Sequence, residues 1–148
     1  MSKSLFRWYE RLLLFICYFI CYAFNILFDY IRILPVDSLL LEIYLKQFYD
    51  YQTYIMFAIS FILIIFHYKM LNSKKNEIYC RYIVGGNLES IASKYALDCL
   101  IVWFIAFILS YIIVFALGLN IINNIYLSCP LLIYILFSSR KVGNFESF

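Results

Sequence analysis

His67 is the single histidine of this sequence, and Cys17, Cys21, Cys80, Cys99 and Cys129 are its five thiols. Imidazole and thiolate are common zinc ligands and common acid–base or nucleophilic groups. One histidine excludes a His-rich metal centre and a two-histidine relay, and its place at the end of an apolar run predicts an interfacial side chain. Cys17 and Cys21 stand four apart on one helix face, which disfavours a disulfide between them, and an odd count among apolar runs argues for reduced thiols. No G-x-x-x-x-G-K-[ST] loop is present to cradle a nucleotide, so ATP hydrolysis by that route is excluded. Acidic residues inside apolar runs would mark an ion path, but only Asp29 and Asp98 come close, both near run ends. A secondary transporter would call for paired, discontinuous helices, and no such internal repeat is visible. No catalytic residue, metal ligand or bound cofactor is therefore assigned to this chain.

The elements that carry these residues follow from composition. Of 148 residues 66% are apolar and 14% charged, where an ordinary soluble domain carries roughly 25% charged residues. A soluble bundle of this composition would leave large apolar patches in water. The sequence therefore predicts an all-α integral membrane protein. A hydrocarbon core about 30 Å thick needs about 20 apolar residues of helix, and four runs qualify, over 12–34, 54–71, 96–119 and 121–139. Asp29 and Arg32 can pair at the edge of the first run, and Lys69 snorkels at the end of the second. The fourth run is the weakest, with Asn123, Asn124 and Pro130, the last of which should kink it. The first run is too long for a cleaved signal peptide and lacks a small-residue cleavage site after it, so it is expected to stay as an anchor.

Orientation follows from the basic residues, which are retained on the cytoplasmic side of span ends. Lys3, Arg7, Arg11, Lys69, Lys74, Lys75, Arg81, Lys94, Arg140 and Lys141 fall at one end, against Arg32 and Lys46 at the other. Both termini and segment 74–95 are thus expected in the cytoplasm of a multi-pass cell-membrane protein. The net charge of +3 then reads as topology and contact with lipid headgroups, with no role for nucleic acid. Tyr44, Tyr49, Tyr51 and Tyr54 at the outer return, and Trp8 and Tyr9 at the inner entry, read as interfacial belts. The outer connection 36–50, with Leu40, Ile43, Tyr44 and Phe48 on one face, reads as an interfacial helix.

The polar segment 74–95 is the exception in this apolar chain. Glu77 and Arg81 form an i,i+4 pair on a helix continuing the second span. Gly85 and Gly86 can end that helix in a left-handed conformation, Asn87 can cap the next, and Glu89 suits its positive end. Leu88, Ile91, Ala92 and Tyr95 fall on one face and Glu89, Ser90, Ser93 and Lys94 around the other. This predicts a short amphipathic helix at the inner membrane surface, between the second and third spans. Ala106, Ser110 and Gly118 form a narrow small-residue stripe on the third span and are predicted to contribute to a dimer contact.

The run E-I-Y-C-R-Y-I-V-G-G-N, Glu77 to Asn87, resembles the cytoplasmic segment of FtsX/MacB-type ABC transporter permeases. That family shows E-I-G-x-R/L-x-x-x-G-A, then a polar residue, an isoleucine and an acidic residue at the start of its third span. Glu77, Ile78, Arg81, Gly85, Asn87, Ile91 and Asp98 match in type and spacing, whereas Tyr79 replaces the first glycine and Gly86 the alanine. The family also carries a sizeable extracytoplasmic domain between its first two spans, where only 36–50 stands here. The resemblance implies a permease subunit that pairs with itself or a second permease and binds a separate ABC ATPase subunit, where the ATP resides. It assigns ATPase coupling to Glu77, Arg81, Gly85, Gly86, Asn87, Leu88, Ile91 and Lys94, with a peptide or lipid as the exported substrate. Four spans, short loops and many aromatics equally suit a small membrane protein of the bacteriocin-immunity type, without ATPase coupling.

Overall fold

The computed structural model describes residues 5–144; Lys3, counted above in the charge split, lies outside them. Among the described residues six helices follow one another: α1 (Trp8–Ile33), α2 (Leu39–Asp50), α3 (Gln52–Ser73), α4 (Lys75–Ile83), α5 (Leu88–Ala116) and α6 (Ile122–Gly143). Four stretches, Trp8–Ile33, Gln52–Ile83, Leu88–Ala116 and Asn124–Gly143, are long and apolar enough to cross a membrane. The last is the least apolar of the four and holds Pro130 inside the helix. Proline's missing N–H leaves the carbonyl one turn earlier without its helical donor.

The long helices form a ring in which α1 packs on α3 and α5, and α6 closes it against the same two. α1 and α6 also meet across the centre. The interior is largely apolar, as in a soluble bundle, but so is the outer surface. Phe57, Phe61, Ile62 and Ile65 of α3 and Ile101, Phe104, Ile105 and Ile112 of α5 face outward, while Glu10, Asn25, Asp29, Gln52, Ser60, His67, Asn124, Ser128 and Ser138 are buried. Lipid tails are as apolar as leucine, so outward-facing apolar residues cost nothing there, and inward polar groups act as glue between helices.

Two sequence expectations need correction. Residues 88–95 are not a separate surface helix but the opening turns of the 29-residue α5. Nothing between Tyr95 and Ala96 breaks a helix, and Ile91, Ala92 and Tyr95 bury their face in the bundle's own core. The stripe Ala106, Ser110 and Gly118 does not face outward as one surface. Ala106 and Ser110 are fully buried within the single chain, where small side chains let neighbouring helices approach. Gly118 has φ of 66° and closes α5 in a Schellman turn, with Leu119 N–H donating to the Val114 carbonyl at 3.0 Å.

Candidate functional site

The segment after α3 is an elbow of one short helix and a glycine turn. Lys74 joins α3 to α4, which runs to Ile83 and stops in a second Schellman turn. Gly86 N–H donates to the Arg81 carbonyl and Gly85 N–H to that of Tyr82, each at 3.0 Å. The two glycines serve different needs. Gly85 has φ of 93°, which a side chain disfavours, whereas a Cβ on Gly86 would lie 2.6 Å from the Arg81 oxygen. Asn87 Oδ1 then accepts from Glu89 N–H at 3.1 Å and caps α5. Leu88 is half-buried and Lys94 exposed.

Charges hold this elbow against the first helix. Lys74 Nζ lies 2.8 Å from Glu10 Oε1 and 3.3 Å from Glu77 Oε2, and Arg81 reaches Glu77 Oε1 at 2.6 Å. The predicted Glu77–Arg81 pair is present. Glu10 also accepts from the Arg7 backbone N–H at 2.8 Å, which closes the start of α1, and Arg11 approaches Asp98 of α5 at 3.6 Å. Burial works against the Lys74 ammonium, but the bonds to Glu10 and then Glu77 outweigh it and hold the lysine above its ordinary pKa. Burial likewise opposes the Glu77 carboxylate, and Arg81 and Lys74 outweigh it and hold its pKa below the usual value. Beyond the clamp, Ile83 and Val84 are 63% and 87% exposed at the tip of α4, an apolar end on a charged stem.

The second feature was not anticipated. His67 is completely buried, not interfacial, because neighbouring helices supply it with partners. Ser138 donates to the Ile135 carbonyl at 3.0 Å, so its oxygen accepts from the Tyr95 hydroxyl at 3.0 Å. The Tyr95 oxygen is then left to accept from His67 Nε2 at 3.0 Å, and Nδ1 accepts from Tyr18 at 3.1 Å. The chain of donors thus runs Tyr18, His67, Tyr95, Ser138, one from each of α1, α3, α5 and α6, and it fixes the imidazole tautomer. Cys99 Sγ sits 3.6 Å from the same Nε2.

Two further layers repeat the pattern. Trp103 Nε1 donates to Tyr22 at 3.0 Å, and Tyr22 to Ser128 at 2.8 Å. Nearer α2, Gln52 Nε2 donates to Asn25 and Asp29, both at 3.1 Å, and Asn25 Nδ2 to Asn124 at 2.6 Å. Asp29, expected at the edge beside Arg32, is therefore drawn inward, and Arg32 lies over the Tyr49 ring at 5.3 Å. Sequence held a signal for this spine: Tyr18, Tyr22, Asn25 and Asp29 recur at three- and four-residue steps along α1, the spacing of one face, with Glu10 about two turns before them on the same face.

Chemically, the spine joins helices through buried side-chain hydrogen bonds. Among the described residues no group of three or more His, Cys, Asp or Glu side chains is placed to hold a metal ion. No family model, no curated protein and no solved structure matches this chain.

Proposed function

We propose that this chain is the membrane subunit of an ATP-driven transporter of the FtsX/MacB kind, with α4 and the Gly85–Gly86 turn as the surface on which a separate ATPase subunit docks. The elbow is the supporting observation: a helical stem continuous with one span, a glycine turn of fixed geometry, and a second span capped at once by Asn87. A push on Ile83 and Val84 would pass into α3 and α5 together, and through Lys74–Glu10 into α1. In this reading the elbow and both termini face the cytoplasm, the site of ten of the twelve basic residues. Glu77 and Arg81 stiffen the stem, Leu88 and Ile91 seat it, and Lys94 offers an exposed charge to the partner. ATP stays on the ATPase, the complex holds two permease subunits, and a peptide or lipid is exported.

The test is recovery of a P-loop ATPase with the tagged chain from native membranes in mild detergent. Gly85→Val should insert to the wild-type level yet recover much less ATPase, and equal recovery would reduce the elbow to a loop. Side is tested on a cysteine-free background, where a thiol at position 47 should label from outside and one at position 75 should not. Labelling of both from one side would overturn the four-span orientation.

A second reading, a membrane protein of the immunity type acting without an ATPase, is favoured by a different observation. The polar side chains of all four long helices are bonded to one another in three layers, which suits a protein that acts by binding within the bilayer. Copies purified with no ATPase, from cells that express a candidate one, would favour it.

A further inference from the structure

We propose that the groove between the end of α1 and α2 holds the headgroup of an aminophospholipid, its phosphate between Arg32 and Lys46 and its ammonium on Glu42. The site does not depend on coupling to an ATPase. Leu34 is extended before Pro35, as residues preceding proline are, and the chain then returns as α2 along the end of α1. Between them lies an open groove of about 460 Å³, walled by Arg32, Leu34, Glu42, Leu45, Lys46 and Tyr49.

The charges of this groove are set apart by what they do not do. Glu42 and Lys46 stand four apart in the favourable order, acid first, yet among the described residues neither they nor Arg32 forms an ion pair. The same spacing in α4 gives Glu77–Arg81 at 2.6 Å. Arg32 is instead braced over the Tyr49 ring at 5.3 Å, an orientation that leaves guanidinium N–H groups to donate elsewhere. Two cations and one carboxylate around one opening match a phosphate beside an ammonium group. Leu34 and Leu45 supply an apolar wall for the glycerol end. Depth agrees, since Arg32 lies in the last turn of α1, where an apolar span meets the headgroups. Phosphate takes arginine in a paired geometry, and a primary ammonium can donate to Glu42, whereas the methylated amine of choline has no N–H to give.

The full chain is placed in nanodiscs containing phosphatidylcholine, phosphatidylethanolamine and phosphatidylglycerol in equal amounts, washed in mild detergent, and its retained lipids are weighed by mass spectrometry. Phosphatidylethanolamine should be enriched over phosphatidylcholine by about fivefold, the scale of one exposed charge pair. Glu42→Gln should erase that enrichment, and Lys46→Gln should lower retention of both phosphatidylethanolamine and phosphatidylglycerol. α2 has no buried residue, so neither substitution unfolds the bundle. Equal retention of the ethanolamine and choline lipids, an unchanged preference in Glu42→Gln, or phosphatidylglycerol in the lead would each overturn the assignment. Soluble O-phosphoethanolamine shares the headgroup chemistry and should leave the lipid in place. Displacement by it would make the ligand a free headgroup and overturn the lipid source.

Discussion

Between α3 and α5 the chain is tied down by Lys74, Gly85 and Gly86, whereas between α1 and α3 it is laid alongside the bundle by α2, which buries no residue. The first connection has its charges in partnership with α1 and its turn fixed by two glycines of different necessity. The second touches the bundle through the Phe28–Phe48 ring contact at 6.5 Å and the Arg32–Tyr49 stack, and its acid and base stay apart. A connection fixed from within takes its geometry from the chain, and one left open takes its order from what surrounds it.

The contrast can be broken by substitution. Lys74→Met should have the largest effect, roughly 3 kcal/mol, because Glu10 would keep a largely buried carboxylate without its cation. The measurement is reversible unfolding in a detergent–SDS series, and a wild-type midpoint would mean that water reaches Glu10. His67→Ala should follow at about 2–3 kcal/mol, because it strands the Tyr18 hydroxyl without its acceptor and removes the donor to Tyr95, which keeps its bond to Ser138. The same series reads it, and restoration by His67→Gln would separate hydrogen bonding from lost volume. Gly86→Val should cost about 1–3 kcal/mol through its contact with the Arg81 carbonyl, and hydrogen exchange should quicken first at the amides of positions 85 and 86.

Ser110→Phe sharpens the comparison at another place. Ser110 is fully buried and donates to the Phe107 carbonyl at 2.7 Å, so overpacking should destabilise the folded chain by about 1–3 kcal/mol. Self-association measured by crosslinking in mild detergent should change only as far as folding does. Loss of a dimer with unfolding midpoint unchanged would restore the stripe to an interface between copies. Phe48→Ser should be the mildest, under about 0.5 kcal/mol, since Phe48 is 58% exposed. A larger loss would show α2 to be part of the core.

Local chemistry was legible in the sequence, and facing was not. The helix stop at Gly85, the Asn87 cap and the Glu77–Arg81 pair each depend on neighbours within five residues, and spacing alone reveals them. The spans lie within a few residues of their expected limits, except that α5 begins at Leu88, where no breaking residue stood to part the amphipathic turns from the span. In water the inward face of a helix is marked by its apolar residues. In lipid the outward face is apolar too, so Ala106 and Ser110 looked equally fit for a second copy, and His67 looked like an anchor. The polar residues of α1 carried the missing mark, as a stripe whose meaning depends on the other three helices. Nothing in the spacing of Tyr18 announces His67, which lies 49 residues away.

The length of α5 has a consequence for reach. Its outward apolar residues run from Leu97 to Phe115, about 27 Å at 1.5 Å per residue, close to the thickness of a hydrocarbon core, so the helix can cross with little tilt. The turns before Leu97, packed through Ile91, Ala92 and Tyr95 into the bundle core, add about 13 Å, more than a headgroup layer of roughly 5–8 Å on each side. In the orientation proposed above, the glycine turn would then stand beyond the headgroups, where a soluble partner could meet Val84 without pressing into the bilayer.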